Sequence, residues 1–170
     1  MSKIAIIPAR GGSKRIPRKN LKLFCGKPII SYSIELAYQS QLFDKVFVST
    51  DDDEIAAVAN QYGAEVPFKR PASLADDYSP TIPVISHAIG WLEKNGWDLD
   101  MVCCIYPTAP LLHRSDLIGS HEIFKTGKWD YVFAGTEYAF PIQRSFKLDN
   151  EGGVEMLYPE QFVARSQDLE

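Results

Sequence analysis

The chain has 170 residues, 45% of them hydrophobic and 24% charged, with a formal net charge of -4 at pH 7. That length suits one domain with a substantial core. The acidic balance argues against a general affinity for nucleic acid, and no apolar run approaches the length that spans a membrane.

The chain opens on an apolar run, Ile4, Ala5, Ile6 and Ile7, which reads as a buried first strand. This opening is too short for a signal peptide and runs straight into a basic loop. The loop, residues 8–20, reads Pro-Ala-Arg-Gly-Gly-Ser-Lys-Arg-Ile-Pro-Arg-Lys-Asn. Arg10, Lys14, Arg15, Arg18, Lys19 and Lys22 follow one another with no acid among them. Such a concentration inside an acidic chain points to a local anionic ligand. Gly11 and Gly12 permit close backbone approach and positive φ. Consecutive N–H groups there could form an anion-binding nest. Ser13 and Asn20 add donors, and Pro17 keeps the segment from becoming a helix. The loop has neither the Walker A spacing nor Gly-x-Gly-x-x-Gly. The plainer alternative is a solvated basic connection, but α/β ligand sites form directly after strands.

Further on, Pro28 is expected at the first position of a helix running to about Ser40, with Ile30, Ile34, Leu36 and Ala37 inward. Residues 45–49 read as a second buried strand. Thr50 and Asp51 are expected to cap a helix over 53–62, closed by Gly63. Residues 64–68 read as a peripheral strand because Pro67 cannot donate to a ladder. A polar loop over 69–80 precedes a helix over 81–95, with Val84, Ile85, Ala88, Ile89 and Leu92 inward. Residues 101–106 are apolar throughout and are expected to be a central strand. Ser115 is expected to cap a helix to about Thr126, and 129–134 to form a fourth strong strand. Strand and helix alternate, which predicts an α/β fold with a doubly wound, mostly parallel sheet. The pattern then changes: residues 146–157 read as a hairpin turning at Asp149 to Gly153. The last residues carry no cap, glycine or closing strand, so the chain is expected to be one domain continuing past Glu170.

Ligands of open α/β sheets sit at the carboxyl ends of strands. Four segments occupy such ends: the basic loop, residues 49–52, residues 106–110 and residues 135–137. Arg70 is either a phosphate or base contact or a surface arginine. Asp51, Asp52 and Asp53 are read as helix-capping acids in preference to magnesium ligands. Asp76 and Asp77 are read as surface acids. Tyr106 and Thr108 could line a substrate pocket, with Tyr106 as a core aromatic the alternative. His87, His113 and His121 lack the spacing of a triad or zinc site and receive no role. Cys103 and Cys104 are adjacent in a strand and point to opposite faces. With Cys25 they lack disulfide or metal spacing, which indicates a reducing cytoplasm.

Several blocks taken together resemble the cytidylyltransferases that activate nonulosonic acids, the sialic-acid-like sugars. The likeness covers the whole chain. The basic loop ending in Lys19 and Asn20 is similar to that family's nucleotide signature. Residues 48–52, 70–77 and 107–111 match further blocks in the same order. The resemblance implies a Rossmann-like nucleotidyltransferase that joins CTP and a sugar acid with magnesium, releasing pyrophosphate. Pseudaminic acid is favoured as the sugar by residues 103–110, 140–146 and 164–169. N-acetylneuraminate and legionaminate are the alternatives, as is a nucleotide-binding module without turnover. Tyr106 stands where sialic acid synthetases commonly carry glutamine, which points away from N-acetylneuraminate.

By the resemblance, Arg10, Gly11, Gly12, Ser13, Lys14, Lys19 and Asn20 hold the triphosphate and ribose, with Arg10, Lys14 and Lys19 acting in catalysis. Arg70 and Ser79 face the cytosine. Tyr106, Thr108 and Arg165 meet the sugar acid, the guanidinium of Arg165 suiting its carboxylate. Residues 138–158 are similar to the family's small protruding dimerisation arm, which implies a homodimer. The resemblance assigns no metal ligand here, because the family's magnesium aspartates fall beyond this chain.

Overall fold

The computed structural model describes residues 1–169. Strand β1 is Ser2–Pro8, with Ile4, Ala5, Ile6 and Ile7 fully buried. A strand covered on both faces needs such an unbroken apolar run. The two-residue strands β2 (Leu23–Phe24) and β3 (Lys27–Pro28) pair antiparallel. Cys25 and Gly26 turn between them with φ of 46° and 90°, the paired positive values of a tight hairpin turn. Then follow α1 (Ile29–Ser40), β4 (Lys45–Ser49), α2 (Asp53–Gln61), α3 (Thr81–Lys94), β5 (Leu99–Cys104) and α4 (Arg114–Phe124).

The sheet runs β4-β1-β5 and both pairings are parallel, Ile6 lying opposite Phe47 on one side and Cys104 on the other. Alternate residues of β1 serve two cores. Ala5 and Ile7 pack with Ile30 and Ile34 of α1, Ile55 and Ala59 of α2 and Leu117 of α4. Ile4 and Ile6 pack with Phe47, Ala88 and Leu92, the last two from α3. Helices thus cover both faces of a parallel sheet, as a doubly wound α/β fold requires.

The chain divides into two compact units, the first from Met1 to Val132 and the second from Phe133 onward. Within the second, β6 (Phe146–Leu148) and β7 (Val154–Met156) form an antiparallel hairpin. Its turn is built by Asp149, whose Oδ1 accepts from the N–H groups of Glu151 (2.9 Å) and Gly153 (2.7 Å).

Several expectations are corrected. Residues 129–134 form no strand, and Trp129, Tyr131 and Phe133 are exposed. A strand exists only against a hydrogen-bonding neighbour; both edges of β1 are occupied, and no described residue pairs with the outer edge of β5. For the same reason β5 is not central: β1 has that place. Residues 64–68 reach β4 only through the isolated bridge Phe47–Glu65. Asp52, not Thr50 or Asp51, caps α2. His113, not Ser115, precedes α4, its N–H donating to Asp116 (2.9 Å). Pro28 flanks α1 instead of beginning it, because β3 claims it.

Candidate functional site

The basic loop leaves β1 beside the end of β4, where the Ala9 N–H donates to the Ser49 carbonyl (2.9 Å). It stays non-helical until a single turn at Lys19–Leu21, entered through Arg18 in the left-handed region at φ 53°. Asn20 is buried and its Nδ2 donates to the Arg10 carbonyl (2.9 Å), closing the loop on itself. Its Oδ1 is buried without a hydrogen-bond partner among the described residues.

The glycines act differently from the expectation. Neither Gly11 nor Gly12 has positive φ. A Cβ on Gly11 would lie 2.5 Å from Asp52 Oδ2 and 2.8 Å from Asp52 Cβ, whereas one on Gly12 meets nothing within 4 Å. Glycine is needed at 11 because Asp52 sits against it. The Gly11 N–H donates to Asp51 Oδ1 (3.0 Å) and the Ser13 N–H to the Gly11 carbonyl (2.9 Å). Those two N–H groups are therefore spent within the chain, and the expected row of free donors is not formed.

The cations find acids from elsewhere in the chain. Arg10 and Lys14 both pair with Asp77, at 2.7 Å and 2.5 Å. Lys14 and then Arg10 hold the Asp77 carboxyl below the usual range. Arg18 pairs with Asp52 and Glu54. Lys19 is half-buried, and no ion pair of its own is found among the described residues. Arg15 is exposed.

Of the three acids at the end of β4 only Asp52 does the capping expected of them. Asp52 Oδ1 accepts from the N–H groups of Glu54 and Ile55, each at 3.0 Å. Asp51 holds Gly11, and Asp53 pairs with Lys69 (2.8 Å). Asp76 likewise builds its own turn, accepting from the Tyr78 N–H (3.0 Å) and from the N–H and hydroxyl of Ser79 (both 2.7 Å). Asp77 is a surface acid, as expected, and is in addition the shared partner of two loop cations. One signal could have found it: a run of cations without an internal acid attracts counter-charge from neighbouring loops as well as from a ligand.

Arg70 is no surface arginine. Only 5% exposed, it donates from Nε to Ser49 Oγ (3.1 Å) and from its terminal nitrogen to the Ser49 carbonyl. Burial lowers its pKa, against the nearby charge of Asp51. With Asp51, Lys69, Ala72, Ala75 and Asp76 it lines an open cleft of about 540 Å³. Tyr106 is not a core aromatic: it is 58% exposed, with its hydroxyl 3.0 Å from Thr81 Oγ1. Thr108 is half-buried just beyond it. Arg165 belongs to the second unit and is held by both oxygens of Asp168, at 2.8 and 3.0 Å. Among the described residues no three His, Cys, Asp or Glu side chains gather as a metal-holding group.

A parallel sheet covered on both faces, with a cationic loop at the carboxyl end of its central strand, defines a Rossmann-like α/β protein whose ligand end is positively charged. The chain belongs to the cytidylyltransferase family, whose model matches residues 4–137, and it is a cytidylyltransferase. It is similar to the pseudaminic acid cytidylyltransferase of Campylobacter jejuni, 48% identical over 99% of this chain and 73% of that one. It is also similar to the CMP-N,N'-diacetyllegionaminic acid synthase of Legionella pneumophila, 37% identical over 98% of this chain and 69% of that one. Among solved structures it resembles a CMP:2-keto-3-deoxy-manno-octonic acid synthetase complexed with CTP (TM-score 0.61, 23% identity, 74% of this chain and 48% of that one). A cytidylyltransferase from Leptospira borgpetersenii gives a TM-score of 0.60 at 23% identity, over 75% of this chain and 50% of that one. The chain thus spans about half the length of those solved structures, whose likeness establishes the fold.

Proposed function

We propose that this chain transfers CMP from CTP to the anomeric hydroxyl of a nonulosonic acid, pseudaminic acid by preference. The sugar oxygen forms its bond to the α-phosphorus, the bond to the β-phosphate oxygen breaks, and pyrophosphate leaves. The observation that carries this reading is the 48% identity, along 99% of the chain, to a relative bearing that activity's name.

The chemistry asks the protein for alignment and charge stabilisation. Arg10, Lys14 and Lys19 supply charge to the polyphosphate, Ser13 a hydroxyl, and Gly11 and Gly12 the loop backbone. Asn20 fixes the loop through the Arg10 carbonyl. Arg70, anchored on Ser49, and Ser79, anchored on Asp76, flank the cytosine. Tyr106, whose hydroxyl lies beside Thr81, and Thr108 meet the sugar acid. Magnesium is the metal expected of this reaction, but the described residues do not fit it: Asp51, Asp52 and Asp53 already hold Gly11, the α2 cap and Lys69. We read the chain as one catalytic domain, acting in the cytoplasm as a homodimer through residues 138–158. No described helix is long and apolar enough to cross a membrane.

Pyrophosphate release from CTP, measured with pseudaminic, legionaminic and N-acetylneuraminic acids in turn, tests this. Release with pseudaminic acid well above the other two is expected. Preference for legionaminic acid would move the assignment to the second relative's reaction, and release with none of them would end it.

A further inference from the structure

The acids around the basic loop are not equivalent. Asp51, Asp52 and Asp76 each accept from backbone N–H groups, as described above, and Asp53 makes a single surface pair with Lys69. Asp77 alone gathers two cations of the basic loop: its two oxygens are spent on Arg10 and Lys14, one oxygen to each, and it accepts from no backbone N–H among the described residues. Arg10 and Lys14 are gathered onto one carboxylate as they would be onto one phosphate group. The Lys14 half of the contact is also easily exchanged, while the Arg10 and Asp77 side chains are themselves 31% and 25% exposed. The Lys14 side chain is 83% exposed, and exposed ion pairs are individually weak. The turn beneath is fixed independently by Asp76, so Asp77 can release the cations by changing rotamer without unfolding its loop.

Building on the function proposed above, we propose that Asp77 is an internal competitor for the polyphosphate, which keeps Arg10 and Lys14 together until CTP arrives and reclaims them to displace pyrophosphate. It is thus a positioning residue that acts on affinity and product release, not on bond formation. A polyphosphate must displace a carboxylate to bind, and the returning carboxylate lowers the cost of product departure.

Calorimetry with inorganic pyrophosphate alone tests this without turnover. Asp77→Asn keeps the shape and removes the charge. It should bind pyrophosphate more tightly than the parent protein, on the order of tenfold. Asp77→Glu should stay near the parent, and adding Lys14→Ala to Asp77→Asn should abolish the gain. In transfer assays Asp77→Asn should lower KM for CTP and kcat together, with stronger inhibition by pyrophosphate. Asp77→Ser serves as a second uncharged variant should Asp77→Asn unfold. If the parent binds CTP and the uncharged variants bind pyrophosphate no better than it does, the competitor role is wrong while the nucleotide assignment survives. If neither parent nor variants bind CTP or pyrophosphate, the assignment of the basic loop fails and this proposal with it.

Discussion

Gly11 and Gly12 are neighbours in sequence but not in constraint. Gly11→Ala drives a methyl into Asp52, which α2 needs as its cap, so the variant should lose about 1–2 kcal/mol in urea unfolding. Gly12→Ala meets nothing and should stay within about 0.5 kcal/mol of the parent. A second comparison concerns the cations. Lys14→Ala removes a charge-assisted contact to a polyanion and should cost about 1.5–3 kcal/mol, falling more on kcat than on KM if the contact tightens toward the transition state. Arg15→Ala, exposed and unpaired among the described residues, should cost far less. Equal effects in steady-state kinetics would make Lys14 one more charge on a solvated loop. The cationic character of the site was legible from the run of basic residues alone. Its wiring was not, because Asp52 and Asp77 lie far along the chain: the parallel pairing of β1 with β4 brings Asp52 beside the basic loop, and Asp77 arrives from the segment between α2 and α3.

At the scale of elements, the buried strands and all four long helices follow from apolar periodicity, since each core face is written locally. What failed depended on a partner. Residues 129–134 carry the composition of a strand, but composition cannot supply a neighbouring edge, and they remain exposed coil. The caps failed by one or two residues, where several polar side chains compete and tertiary contacts choose among them. Asp52 was chosen because Arg18 stands over it as well as α2. That pairing has a pH signature. The Arg18 hydrogen bond, with help from the Ile55 and Glu54 amides, holds the Asp52 carboxyl below its ordinary value. A depressed carboxylate adds stability that is fully present above its unfolded pKa, about 3.9, and is lost as pH falls through the lower folded value. Asp52→Ala should therefore cost about 1 kcal/mol at neutral pH in chemical denaturation. The gap between the two proteins should be flat above about pH 5 and narrow below about pH 4. A gap independent of pH down to the folded pKa would remove Arg18 from the account.

At the scale of the whole molecule, the β6–β7 hairpin states the clearest unmet requirement. Its register places Phe146 opposite Met156 and Leu148 opposite Val154, so these four share one face by strand alternation. Lys147 and Glu155 share the other face and pair at 2.9 Å. Phe146, Leu148 and Val154 are 60%, 69% and 69% exposed. A two-stranded hairpin is marginal by itself, and one with an uncovered aromatic and aliphatic face and a salt-bridged back has the pattern of a surface meant to be covered. A second copy of the chain, applying the same face about a two-fold axis, is the occupant we assign to it. Light scattering should then return the mass of a dimer at micromolar concentration. Burying one such side chain is worth about 1.5–3 kcal/mol, so Phe146→Ser should raise the dimer dissociation constant by roughly ten- to a hundredfold or more. Lys147→Ala, on the outer face, should leave it nearly unchanged, because an exposed pair contributes little. A chain that is monomeric at every concentration, or a dimer indifferent to Phe146→Ser, would show that the hairpin is not the contact between copies.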